Sequence, residues 1–315
     1  MVKDISEIAP PADGSYHIYQ MTYARDHHRR VHDNFVMRDM HDGPMPVDFN
    51  IWILRNAERT ILVDTGFGAR AAAERGRPLL FEPVEGLARI GIASDSIHDI
   101  IITHLHFDHA GSIDRFEKAR FHIQDDEMQF ATGRCMCDQF VRRPFDVEDV
   151  VTLVRRNYED RVVFHDGDDE IFPGVSVLRF PGHSAGLQAV RVMTPRGPVI
   201  LASDASHYWA NILTARPFNL TIDVPDTLAS YRKLIALGGT PDRIIPGHDP
   251  KVRRLFPAVE VNGIRASGPS CRAEALPAFR SCPDRRLLTA LPRDRPDRRG
   301  TFDLRAHGQG RFDRP

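Results

Sequence analysis

The stretch that decides the fold is "THLHFDHAGS", Thr103 to Ser112. It packs three histidines and an aspartate into six positions: His104, His106, Asp108 and His109. A neutral imidazole offers a nitrogen lone pair to a divalent metal, and a carboxylate offers oxygen. No regular helix turns positions 104, 106, 108 and 109 to one point. A loop leaving a strand does. The β-branched run "IHDIIITH" (Ile97 to His104) reads as that strand, buried on both faces.

Four donors in one loop do not enclose two metals. The rest of the chain supplies more. "FPGHSAG" (Phe180 to Gly186) sets His183 in a glycine-rich turn after an apolar strand. "LASDAS" (Leu201 to Ser206) sets Asp204 at the end of another, and "IIPGHDP" (Ile244 to Pro250) sets His248 at the end of a third. These are carboxyl-terminal strand ends, where α/β folds gather their sites. Five histidines and two aspartates suit two metals that share a carboxylate. Any one of these histidines taken singly reads as a turn or core residue. The joint pattern reads as a metal centre.

Outward from these motifs, short apolar runs alternate with turn signals. "FNIWIL" (49–54) and "TILVD" (60–64) read as strands joined by the polar turn "RNAE". "DTGFGARAAAERG" reads as a tight turn and a helix. "ARFHIQ" reads as a strand, and "DDEMQFATG" as a helix with its acids in the first turn. "DVEDVVTLVRRNY" has helical spacing at Val147, Val150, Val151 and Val154. "RVVFHDGDDEIFPGVSVLRF" reads as strand, turn and strand, and "LQAVRVM", "PVILASD" and "RIIPGHD" as three more strands. "DTLASYRKLIALG" reads as a helix with Asp226 as its N-cap and Gly238 as its stop. Each half is strand-rich with interleaved helices. The expected class is α/β: an αββα sandwich of two mixed β-sheets flanked by helices.

Composition narrows the function. The chain has 315 residues, with Lys+Arg 42 against Asp+Glu 43. That balance offers no basic footprint for nucleic acid, and no apolar run approaches the ~18–20 residues of a spanning helix. The expected partner is a small molecule, and the start of the chain lacks the apolar core of a secretory signal, so a cytoplasmic location is expected. Cys135, Cys137, Cys271 and Cys282 are too few for a disulfide scaffold, and "CMC" is not a redox CxxC pair. Of the 15 histidines, His27, His28 and His32 in "RDHHRRVHD" read as a solvated charged loop. From 264 to 315 the chain turns Arg- and Pro-rich with little periodicity. That stretch is expected to be a disordered tail, leaving a working domain at 1–263.

"LVDTG", "HLHFDH", "PGHSAG", "SDAS" and "PGHD", in that order, resemble the metallo-β-lactamase superfamily over about 51–250. "THLHFDHAGS", through Leu105 and Phe107, further resembles the N-acyl-homoserine lactone lactonases and 4-pyridoxolactonase. The resemblance implies that His104, His106 and His183 hold one zinc and that Asp108, His109 and His248 hold a second. Asp204 bridges the two, and Asp64 orients a ligand histidine. Zinc fits the donor set, as do iron, manganese and cobalt. Two such metals lower the pKa of a shared water from ~15.7 toward ~7, so the implied reaction is lactone opening by a metal-bridging hydroxide. Asp108 or Asp204 would pass the proton to the leaving alkoxide. The sequence has no GxSxG nucleophile motif to rival this.

One departure stands out. Where the lactonases place a substrate-facing tyrosine three residues after the bridging aspartate, "DASHYW" has His207, with Tyr208 one further on. Either residue is a candidate for stabilising the oxyanion. Phe67, Phe107, Trp209 and Phe218 are candidate pocket residues, and Arg216 a candidate polar contact. The alternative functions are hydrolysis of another cyclic ester or amide and a glyoxalase II-like thioester hydrolase. The tail lacks the helical pattern that the second of these favours.

Overall fold

The computed structural model describes residues 4–37 and 40–269. All lie in one compact unit, Met1–Pro277. The strands are β1 (His17–Asp26), β2 (Val47–Arg55), β3 (Thr60–Val63), β4 (Gly66–Phe67), β5 (Asp99–Ile101), β6 (Arg120–Gln124), β7 (Val162–His165), β8 (Asp169–Phe172), β9 (Val175–Arg179), β10 (Gln188–Thr194), β11 (Gly197–Ser203), β12 (Ile244–Pro246), β13 (Ala258–Val261) and β14 (Ile264–Ser267). The helices are α1 (Ala69–Arg75), α2 (Pro83–Arg89), α3 (Phe107–Ala110), α4 (Asp125–Thr132), α5 (Gln139–Arg142), α6 (Val147–Tyr158), α7 (Trp209–Thr214), α8 (Val224–Gly238) and α9 (Val252–Leu255).

Two mixed sheets form the sandwich. The first has eight strands in the order β13-β14-β1-β2-β3-β5-β6-β7, and the second has five, β12-β11-β10-β9-β8. In the first, β3, β5, β6 and β7 run parallel. In the second, β11 and β12 are parallel. Parallel strands point their carboxyl ends the same way, so the loops after β11 and β12 emerge together on one edge of the second sheet. Ile100, Ile101 and Ile102 are fully buried, as a strand covered on both faces requires. Tyr231 and Leu234 of helix α8 share a core with Ile200 and Ile244 of the second sheet and with Phe180 and Leu187 of the β9–β10 loop. Among the described residues no helix is long and apolar enough to cross a membrane.

Polar cross-ties join the sheets. The Gln188 amide of β10 donates to the carbonyls of Ile102 (2.9 Å) and His122 (3.0 Å). His122 of β6 and His165 of β7 face each other at 3.1 Å, and Asp169 of β8 accepts from His165 Nδ1 at 2.9 Å.

Three expectations change. Strand β14 lies at Ile264–Ser267, inside the stretch read as tail, and pairs with both β1 and β13. The sheet therefore runs past Gly263. The rest of the tail, from residue 270, lies outside the described residues. Helix α8 starts two residues before Asp226. Its N-cap is Asp223, whose carboxylate accepts from Asp226 N at 2.8 Å. Pro225 sits in the first turn, where its missing N–H costs no helical bond. In α6 the buried positions are Asp149, Val150 and Leu153, while Val147 stands 69% exposed. Strand β1 leaves no alternating mark in the sequence, because it is buried almost throughout.

Candidate metal centre

Each donor arrives by a local device. After β5 the chain passes His104 to His106, which is extended, then turns into the single helical turn α3 that bears Asp108 and His109. Gly111 ends that turn, where a Cβ would stand 2.4 Å from the Phe107 carbonyl. Asp204 follows Ser203, a non-glycine residue in left-handed backbone (φ 46°). Asp64 is the other such residue beside the site (φ 63°). Backbone in this region costs free energy and persists where the surroundings enforce it. Here one hydroxyl does so. Thr103 Oγ1 donates to Asp64 Oδ2 (2.9 Å) and lies 2.9 Å from Ser203 Oγ, while Thr103 N donates to Asp64 Oδ1 at 2.8 Å.

The sequence-predicted donors converge. His104, His106, His183 and Asp204 present atoms all within 4.8 Å of one another, and so do Asp108, His109 and His248. Asp204 stands between the sets. Its Oδ2 is 3.2 Å from His183 Nε2 and 3.8 Å from His104 Nε2. Its Oδ1 is 2.9 Å from His248 Nε2 and 3.4 Å from His109 Nε2. Asp108 Oδ2 lies 3.5 Å from His109 Nε2 and 3.7 Å from His248 Nε2.

The imidazoles are oriented from behind. His109 Nδ1 donates to Asp64 Oδ2 (2.7 Å), His183 Nδ1 to the Leu220 carbonyl (2.6 Å) and His248 Nδ1 to the Asp48 carbonyl (2.8 Å). A ring that donates from Nδ1 turns a lone pair on Nε2 to the centre.

The residues fit divalent cations. His104 Nε2, His109 Nε2, His248 Nε2 and Asp204 Oδ1 are buried and, close as they lie, make no well-aligned hydrogen bond. Buried polar atoms without partners are costly, and a cation among them removes that cost. The electrostatics agree. Burial would lower the pKa of His109, but the carboxylates of Asp204, Asp108 and Asp64 outweigh it and hold it well above its ordinary value. His104 and His106 are pushed well below theirs by burial and by their neighbouring imidazoles, against the pull of Asp204. Burial would raise Asp204, yet His207, His248 and His109 hold it well below the usual carboxylate range. The second set therefore favours positive charge, and the first favours neutral nitrogen donors.

One residue that ties the site's loops together is not legible in the sequence. Glu127 reads in the sequence as a first-turn acid, yet it is fully buried. Its Oε1 accepts from Leu105 N (2.9 Å), and its Oε2 from Ser184 Oγ (2.5 Å) and Gly186 N (3.0 Å). One carboxylate thus grips the His104–His106 loop and the His183 loop together. A Cβ on Gly186 would stand 2.1 Å from Glu127 N, so only glycine lets the two elements meet. Burial pushes the Glu127 carboxyl up, against those three donors.

The remaining candidates separate. His207 reaches the centre, with Nε2 3.0 Å from Asp204 Oδ2 and its ring stacked on Phe218 at 3.5 Å and 12°. Tyr208 does not. Its hydroxyl donates to the Pro46 carbonyl at 3.1 Å. Trp209 gives its indole N–H to the carbonyls of Pro241 and Ile244, a packing role at the start of β12. Phe67 is buried among Tyr23, Phe49 and Phe107. Phe107 is partly buried, under the Arg75 guanidinium at 4.1 Å. Arg216 lies over Phe35 and donates to the Met37 carbonyl. Cys135 and Cys137 are exposed free thiols.

The family model of the metallo-β-lactamase superfamily matches residues 46–248. An N-acyl homoserine lactonase of Bacillus thuringiensis is 32% identical over 225 residues, 65% of this chain and 84% of that protein. Another, from Agrobacterium fabrum, is 29% identical over 183 residues, 52% of this chain and 65% of that protein. Among solved structures, an N-acyl homoserine lactone hydrolase with N-hexanoyl-L-homoserine at its catalytic metal centre superposes with a TM-score of 0.62 at 26% identity, covering 76% of this chain and 96% of that one. The chain belongs to the metallo-β-lactamase superfamily, on its N-acyl homoserine lactonase branch.

Proposed function

We propose that this protein is a dinuclear zinc hydrolase that opens a lactone ring, with N-acyl-homoserine lactones as the substrate class. The carrying observation is the meeting of two donor sets across one shared carboxylate, Asp204, at the common edge of both sheets. His104, His106 and His183 with Asp204 hold one cation. Asp108, His109 and His248 with Asp204 hold the other. Bound there, the cations supply an acidified water and polarise the lactone carbonyl.

The side chains do the rest. Asp64, Asp48 O and Leu220 O fix the rings so that three lone pairs converge without reorganisation. Asp108 is the most open of the seven, with its side chain 11% exposed. In the proposed reaction it takes the proton of the attacking water. As the new C–O bond forms and the ring C–O bond breaks, it passes that proton to the leaving oxygen. His207 is the residue of "DASHYW" that faces the reacting carbonyl.

The test is turnover by metal-replete protein of N-acyl-homoserine lactones of graded chain length, aromatic lactones and a glutathione thioester. Lactone opening with little thioester cleavage is expected. Turnover of the thioester alone would overturn the reading in favour of a glyoxalase II-like enzyme.

A further inference from the structure

Seven donors account for both cations proposed above, yet the cluster holds an eighth. His207 is buried, and its Nε2 shares Asp204 Oδ2 with His183. His207, Asp204 and His248 form a third set whose donor atoms all lie within 4.8 Å of one another. The His207 ring is 4.9 Å from that of His183 and 5.1 Å from that of His248, so it borders both donor sets.

What holds this ring differs from what holds its neighbours. His109, His183 and His248 each anchor Nδ1 on a fixed oxygen. His207 Nδ1 is buried with no hydrogen-bond partner. Its support is Phe218 on one face, backed by the Arg29 guanidinium 5.2 Å from the Phe218 ring. A stacked face sets the plane of a ring but not its position within that plane. A donor without an outer anchor therefore yields more readily than one whose second nitrogen is tied down.

We propose that His207 is an additional, exchangeable donor to the metal centre, its Nε2 holding a coordination place that a substrate oxygen takes over. This rests on the metal-centre reading above. It extends that reading from a residue facing the substrate to one that competes with the substrate for the metal.

The experiment loads the full chain with cobalt(II) and reads visible d–d absorption, together with cobalt affinity by chelator competition. The variants are His207→Phe, which keeps the stack and removes the donor, and His207→Ala. His207→Phe is expected to bind two cobalt ions with an altered spectrum and about tenfold weaker affinity, at the low end of what a lost supporting contact costs a metal site. Free imidazole is expected to return the His207→Ala spectrum toward that of the parent. Acetate, as an oxygen donor, is expected to move the parent spectrum toward that of His207→Phe. Unchanged spectrum and affinity in His207→Phe, or in His207→Ala should the first variant not fold, would overturn the eighth donor. A parent spectrum indifferent to acetate would overturn the exchange. A parent chain that takes up no cobalt would overturn the metal centre itself, a separate failure.

Discussion

The two sheets contribute to the centre in opposite ways. The first delivers four donors from one six-residue stretch, at the end of one strand. The second delivers three donors from three separate strand ends, His183 after β9, Asp204 after β11 and His248 after β12. A contiguous motif is set by local backbone. Scattered donors are set by the packing of a whole sheet. The first half therefore resembles a ready-made part. The second makes the centre conditional on correct docking.

The largest break in that contrast should come from the donor that serves both sets. Asp204→Asn is expected to lose one metal equivalent and to lower kcat/KM by more than the ~10²-fold that an outer-sphere partner costs. Metal analysis with kinetics checks it, and retention of both metals would refute the shared carboxylate. Glu127→Gln comes next. Each hydrogen bond to a buried charged group contributes about 1.5–3 kcal/mol, and Glu127 receives three. A fall in Tm is expected, with weaker metal binding by the His104, His106 and His183 set, read by calorimetry and chelator titration. A normal Tm would mean that the loops hold themselves.

Truncation sharpens the comparison away from the metals. A chain ending at Gly263 lacks β14, which pairs with β1 and β13. It is expected to lose stability, whereas a chain ending at Pro269 keeps its Tm and turnover. Equal Tm values would show β14 to be dispensable. The smallest effect is expected for Tyr208→Phe. Its hydroxyl bonds the Pro46 carbonyl rather than the donor cluster, so about 1 kcal/mol of stability is at stake and kcat should hold. A large fall in kcat would return Tyr208 to the chemistry.

The same contrast explains what the sequence made legible. The dense stretch after β5 and the three strand-end motifs carry their chemistry in residue type and spacing, so the seven side chains that converge, and Asp64 behind His109, are legible as candidates. Glu127 was not, because an acid in a helix's first turn reads as a dipole partner and only tertiary contact reveals what it grips. The choice between His207 and Tyr208 was equally closed, since neighbouring residues diverge by backbone direction, which "DASHYW" does not encode. Strand β1 hid in its own burial, and β14 hid beside a compositional change that began just before the last strand had ended.

The grip of Glu127 on both loops has a thermodynamic side. A cation that binds only when the sheets are docked stabilises the docked state by mass action, by about 2.7 kcal/mol at a hundredfold excess over its dissociation constant. Chelation is then more than inhibition. It withdraws a load-sharing element from the sandwich, and heat or denaturant would first be felt where Leu105 and Gly186 meet on one carboxylate.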